Sequence, residues 1–192
     1  MKIAIVGGGN VGKTLGNGWS KQHQVVYVSR SQSLDERKAH VANADVVAVA
    51  TPASAAAEAC AGLPLSGKTV VDCTNPLAPG LAGLTVGTTT SAAEQLAAAL
   101  PGAKVVKAFN TIGFDVMANP RFGDQRAFLP VCGDDADAKR TVIALGEELG
   151  FEAVDAGALS IARCMEPFAL LWITMAIKGG FGREFAFSLL RR

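Results

Sequence analysis

The residues with the clearest chemical use are Gly7, Gly9 and Gly12, spaced G-x-G-x-x-G directly after the apolar run Lys2–Val6. Between a strand and a helix, that spacing suits the pyrophosphate of a dinucleotide. Gly7 permits the tight turn, Gly9 lets the backbone approach the phosphates, and Gly12 lets helix and strand pack closely. Asn10, Val11 and Gly12 would open the helix, whose free N–H groups attract phosphate charge. A second group follows the next apolar run. A site for NAD usually carries Asp or Glu there to accept from the ribose hydroxyls. This chain instead has Ser29, Arg30 and Ser31, with no carboxylate until Asp35. Two hydroxyls and a guanidinium suit an additional ribose phosphate, so the expected nucleotide is NADP.

Two Pro-containing turns, Thr51-Pro52 and Asn75-Pro76, stand at the carboxyl ends of apolar runs, where such sheets bind ligands. With the glycine loop they outline a channel for the nicotinamide. Asn110 follows Val105–Phe109 and carries an amide able to bond a carboxamide or a ring carbonyl. A helix N-cap by Asn110 or Thr111 is the equal alternative. No Ser, His and Asp cluster by motif, and no Lys or Tyr stands in a recognisable acid–base setting. No catalytic side chain is therefore expected, only positioning by Asn110. Direct hydride transfer between two flat rings accepts that: it needs the reacting carbons aligned at about 3–3.5 Å, with the electronics supplied by the cofactor.

These groups need a scaffold, and the chain alternates accordingly. Strands are expected at Lys2–Val6, Gln24–Val28, Val46–Ala50, Thr69–Cys73, Val105–Phe109, Ala127–Cys132 and Phe151–Asp155. Helices are expected at Val11–Lys21, Leu34–Asn43, Ala53–Gly62, Ala92–Leu100 and Asp135–Leu149. The β-α-β alternation with continuous apolar strands predicts an α/β fold, a Rossmann-like, doubly wound, mostly parallel sheet. About 16 residues separate Ser29 from Val46, room for a helix and little else, so the outermost strand of the first half should be missing. From Ala158 to Leu190 there is no strand signal. The run to Ile177 is a helix apolar on every side, which should be buried on every side, and a partner subunit is the simplest cover. Gly179-Gly180 should end it. Residues 1–157 are read as the dinucleotide-binding domain and 158–192 as a helical extension of the same compact unit.

Composition narrows the class. The 192 residues are 49% hydrophobic with a net charge of +1, which predicts a globular domain with no basic stripe for nucleic acid. Arg37 and Lys38, balanced by Asp35 and Glu36, read as a solvated helix face. Cys60, Cys73, Cys132 and Cys164 form no C-x-x-C pair, read as small buried hydrophobes and favour a cytoplasmic setting. With His23 and His40 they show no metal-ligand spacing. The stretch Pro167–Ile177 is too short to span a bilayer, so no membrane partner is expected.

The chain resembles the NADPH-dependent reductases of 8-hydroxy-5-deazaflavin (coenzyme F420), the deazaflavin:NADP oxidoreductases, over nearly its whole length. The resemblance is carried by Gly7-Gly8-Gly9-Asn10-Val11-Gly12-Lys13 with Ser29-Arg30, and by Leu129-Pro130-Val131-Cys132-Gly133-Asp134-Asp135. It is most specific at Val154-Asp155-Ala156-Gly157-Ala158-Leu159, followed by Arg163, Glu166 and the apolar helix. The same module is similar to the cytosolic domain of six-transmembrane ferric reductases. The resemblance implies NADP held by Gly7, Gly9, Asn10, Val11, Gly12, Ser29, Arg30 and the Thr51-Pro52 turn. It further implies a small-molecule acceptor, a deazaflavin or flavin lying over the nicotinamide, and a homodimer built partly by the C-terminal helix. Asn110 stands where some deazaflavin reductases carry a histidine, and the ferric reductases are closer there. Two other readings stay open: a flavin- or ferric-reductase-like enzyme with another acceptor, and a non-catalytic NADP(H) sensor. A hydroxyacid or imine dehydrogenase would need a larger helical domain than residues 158–192 provide.

Overall fold

The computed structural model describes all 192 residues. Its first strand, β1 (Lys2–Val6), leads into α1 (Asn10–Trp19), then β2 (Gln24–Val28), α2 (Leu34–Ala42), β3 (Val46–Val49), α3 (Ala53–Cys60) and β4 (Thr69–Asp72). There follow α4 (Ala92–Ala99), β5 (Lys104–Lys107) and a four-residue helix, α5 (Phe114–Met117). A small hairpin of β6 (Arg121–Phe122) and β7 (Gln125–Arg126) precedes β8 (Phe128–Gly133), α6 (Ala136–Leu149), β9 (Glu152–Gly157) and α7 (Ala162–Ile177).

Seven strands form one sheet in the order β2-β1-β3-β4-β5-β8-β9. Strand β2 is the edge, and the chain returns through α2 to the far side of β1, so the first half lacks its outermost strand as expected. All pairs are parallel except β5 with β8, which is antiparallel. The five strands β1 to β5 therefore end at the same edge, where ligands bind in open parallel sheets.

Alternation along the strands divides the core in two. Ile3 and Ile5 of β1 pack on one face with Leu15 and Trp19 of α1 and Val142 and Leu145 of α6. Ala4 and Val6 pack on the other with Val41 of α2, Cys60 of α3, Leu96 of α4 and Met165 of α7. Both faces are covered, which is why the central strands carry Val and Ile at successive positions. Trp19 closes the first face, its indole N–H donating to the Leu145 carbonyl at 3.1 Å.

The C-terminal helix departs from expectation in three respects. With the preceding 3-10 turn it forms a helical run from Leu159 to Ile177, 19 residues of mean hydropathy 1.3. That is longer than the Pro167–Ile177 stretch read from sequence, and long and apolar enough to cross a membrane by those two measures alone. Only one face is buried: Met165, Glu166, Ala169, Trp172 and Ala176 face the body, while Leu171 and Ile177 are exposed. Cys164 is also exposed, unlike the three buried cysteines, because it falls on the outer stripe of the helix. Part of the cover comes from the chain itself. After the helix ends before Gly179-Gly180, the tail folds back. Phe128 N–H donates to the Phe187 carbonyl at 2.9 Å, and the Trp172 indole donates to the Phe185 carbonyl at 3.0 Å while the two rings stack.

Candidate functional site

Val6 passes into the glycine turn at the carboxyl edge of the sheet. Gly7 has φ of +112°, and a Cβ there would sit 2.6 Å from the Ala50 carbonyl oxygen. A Cβ on Gly12 would meet the Gly7 carbonyl at 2.3 Å. These two glycines are required by packing between turn, helix and β3. Gly9 differs: a Cβ on it meets nothing within 4 Å. It is the N-cap of α1, and no side chain caps that helix. The first N–H groups of α1, those of Asn10, Val11 and Gly12, thus have no intrahelical acceptor. Open space beside an uncapped helix start is the geometry an anion needs.

The turn forms one wall of a cavity of about 360 Å³. Gly7, Gly9, Ser29, Arg30, Thr51 and Pro52 all line it, as does Gly8. The loop after β2 is ordered by Gln32, which accepts from Ser29 N–H at 2.8 Å and donates to the Tyr27 carbonyl at 3.2 Å. The Ser29 and Ser31 hydroxyls bond each other at 2.7 Å. Arg30 stands exposed between them. The lining includes a second guanidinium that the sequence alone placed on a solvated face. Arg37, half-buried, lines the cavity and donates from Nη2 to the Ala59 carbonyl. Its Nε is buried without a partner. Arg30, Arg37 and Ser29 line the cavity together with the carboxylate of Glu58, while Ser31 reaches it only through its bond to Ser29. Two guanidiniums, one donor still unpaired, suit a phosphate dianion. Arg37 lies seven residues beyond Arg30, one helical turn inside α2, and its side of the helix was the missing signal.

Asn75, Pro76 and Asn110 do not line this cavity. They stand further along the same edge, after β4 and β5, so that Thr51-Pro52, Asn75-Pro76 and Asn110 form a row across three adjacent parallel strands. Pro76 is buried, so it shapes the wall rather than presenting a surface. Asn110 is 4% exposed. Its Nδ2 donates to Asn75 Oδ1 at 3.0 Å and to the Met165 carbonyl at 3.2 Å, and Asn75 Nδ2 donates to the Asn110 carbonyl at 2.7 Å. Asn110 Oδ1 and the neighbouring Thr111 Oγ1 are buried without partners. Neither residue caps a helix: the N-cap of α5 is Gly113, with no side-chain bond. Phe109, just before Asn110, has φ of +62°, a conformation that costs a bulky side chain energy. Its ring is held edge-on between Trp19 and Phe151.

Behind this row lies an ion triad that the sequence reading did not find. Lys107 is fully buried, and its ammonium reaches Asp72 Oδ2 at 2.9 Å, Glu166 Oε1 at 3.1 Å and the Thr74 carbonyl at 2.6 Å. All three of its protons are used. Asp72 also accepts from Thr74 N–H at 2.9 Å. Glu166 accepts from the N–H groups of Ala92 and Ala93 at 3.0 and 3.1 Å, at the start of α4. Burial alone would pull the Lys107 pKa down, but the Asp72 and Glu166 carboxylates outweigh it and hold the ammonium above its ordinary value. The one sequence signal was positional: Asp72 and Lys107 end their strands in register.

A model of the family described as NADP oxidoreductase, coenzyme F420-dependent, matches residues 2–76. The F420-dependent NADP reductase of Methanocaldococcus jannaschii is 30% identical, with 93% of this chain and 93% of that protein aligned. The metalloreductase STEAP3 of Rattus norvegicus is 31% identical over 99% of this chain, which spans 42% of the length of that relative. A crystal structure from Arthrobacter sp. FB24 superposes with a TM-score of 0.87 at 30% identity, covering the whole of both chains. The relative aligned along nearly its whole length and the matching fold agree: the chain belongs to the coenzyme F420-dependent NADP oxidoreductases.

Proposed function

We propose that this chain transfers a hydride between NADP(H) and a flat deazaflavin or flavin ring at the carboxyl edge of β1 to β5. The observation that carries the reading is the cavity walled by Arg30 and Arg37 where a carboxylate would select NAD. Gly7 and Gly9 with the uncapped start of α1 would hold the pyrophosphate, and Ser29, Arg30, Ser31 and Arg37 the ribose phosphate. Thr51, Pro52, Asn75, Pro76 and Asn110 would flank the nicotinamide half. Bound NADPH supplies the hydride. The protein orients the two rings and keeps water from between them, and no side chain need take a proton. The orphaned Arg37 Nε and the open space beside Gly9 support the fit.

The reading includes a homodimer in which the outer stripe of α7, with Leu171 and Ile177 exposed, meets its copy. It also includes a cytoplasmic setting, supported by four unpaired cysteines. Mixing the protein with NADPH and, separately, FMN, FAD or a deazaflavin tests the acceptor through loss of the reduced-nicotinamide absorbance. Rapid loss with one ring class identifies it. Tight NADPH binding with no oxidation by any ring overturns the enzymatic reading in favour of a sensor.

A further inference from the structure

The triad and the strand-end row form one closed circuit. Lys107 holds the Thr74 carbonyl. Thr74 leads directly to Asn75, which is bonded in both directions to Asn110. Asn110 donates to the Met165 carbonyl, and Met165 leads to Glu166, which returns to Lys107 at 3.1 Å. Both acceptors facing the Asn110 amide nitrogen are oxygens, so the amide cannot be reversed without losing two bonds. Its Oδ1 is thereby turned away from Asn75 and Met165 and left without a donor. A buried acceptor without a donor costs stability, and here it lies at the sheet edge beside the left-handed Phe109 turn.

We infer that Lys107 is a positioning residue of the hydride-transfer site: through Thr74, Asn75 and Met165 it fixes Asn110 with its carboxamide oxygen set to accept an amide N–H from the nicotinamide. The inference rests on the proposed function and deepens it. The cavity with Arg30 reads the adenine half. The Lys107 circuit reads the other half and fixes the ring for transfer. Lys107 itself touches neither substrate.

The test compares three probes: NADP, its 3-acetylpyridine analogue (a methyl ketone replacing the amide N–H), and adenosine 2′,5′-bisphosphate, which has no nicotinamide. The wild-type protein should bind NADP about tenfold more tightly than the acetylpyridine analogue, the worth of one hydrogen bond. In Asn110→Ala and in Lys107→Met/Glu166→Gln that preference should fall to about onefold, with adenosine 2′,5′-bisphosphate bound as in the wild type. The value of kcat should fall with little change in KM for the ring acceptor. Lys107→Arg, which keeps the charge but displaces its donors, is the second variant should the first not fold, and it too should compress the preference. A purely structural Lys107 would lower the melting temperature and leave the preference intact. That result, or equal wild-type affinity for NADP and the acetylpyridine analogue, overturns the inference. Failure of the wild type to bind adenosine 2′,5′-bisphosphate would instead sink the nucleotide reading, and this inference with it.

Discussion

Asp72 and Lys107 stand opposite each other at the last paired position of β4 and β5, and their charged groups meet at 2.9 Å with neither exposed to solvent. Two neighbouring strands thus finish, after runs of valine, on a buried ion pair. Its Coulomb attraction is strong in a low-dielectric interior, but each ion was costly to remove from water. Glu166 and the start of α4 complete the balance, because the extra negative charge sits on two backbone N–H groups at a helix N-terminus.

Removing the cation alone should therefore be costly. Lys107→Ala leaves two buried carboxylates facing each other, and unfolding by denaturant should show a loss of about 3–5 kcal/mol. A loss below about 1 kcal/mol would mean that water reaches the carboxylates in solution.

The arginine walls make a prediction about nucleotide choice. Arg30→Ala and Arg37→Ala should each weaken NADPH by about 10- to 100-fold, the worth of about 1.5–3 kcal/mol of charge-assisted hydrogen bonds. NADH should change little. Equal losses for both nucleotides, measured by titration calorimetry, would remove these residues from the phosphate site.

Gly9 and Gly12 should separate function from folding. The side chain of Gly9→Ala would enter open space, so the melting temperature should stay within about 2 °C of the wild type, with nucleotide affinity falling through the lost close approach. Gly12→Ala drives a methyl into the Gly7 carbonyl and should destabilise by about 1–3 kcal/mol. The reverse pattern in calorimetric melts would refute the assignment.

Acid should loosen α7. Its Arg163 makes a two-pronged pair with Glu94 of α4, at 2.6 Å for the shorter arm. That bond and the Ser91 hydroxyl hold the Glu94 carboxyl below its ordinary value of 4.5 despite desolvation. The carboxylate contributes full stability above that ordinary value and loses its contribution as pH falls through the lowered one. Native-state hydrogen exchange should show α7 opening more readily below about pH 4.5 than at neutrality, and Glu94→Gln should abolish that part of the pH dependence.

Thiol chemistry reports on the outer stripe of α7. Burial pushes the Cys60 thiol up to about 11 and that of Cys132 to about 12, and raises Cys73 as well, so these three should be inert in the native protein. Cys164 alone should react with an aromatic disulfide reagent, and more slowly as protein concentration rises if the stripe pairs with its copy. A rate independent of concentration would place the interface elsewhere.

Much of the frame was legible because buried parallel strands are continuous apolar runs. Strand β2 matched its sequence bounds, and the short connection from Ser29 to Val46 correctly implied a missing edge strand. The glycine turn was legible because Gly7 and Gly12 answer steric demands that no other residue meets, while Gly9 leaves open space beside the helix start. What escaped depends on direction. Arg37 and Lys38 are adjacent in a charged helix, and only the packing of α2 on α3 turns one of them into the cavity. Lys107 ends an apolar strand like any solvated lysine, and its partners lie 35 and 59 residues away. The burial of α7 was overstated because a period of apolar residues does not show which side the Phe185–Phe187 tail will cover.

The single antiparallel junction, β5 against β8, has a further consequence. It reverses the chain so that β9 finishes at the far edge, and α7 must then climb the sheet toward Asn110. Its axial setting is thereby coupled to Asn110 and Lys107. A slide of one residue, about 1.5 Å, would carry the Met165 carbonyl off Asn110 and Glu166 off Lys107 together. Whatever grips the outside of that helix holds a lever on the Asn75-Asn110 row.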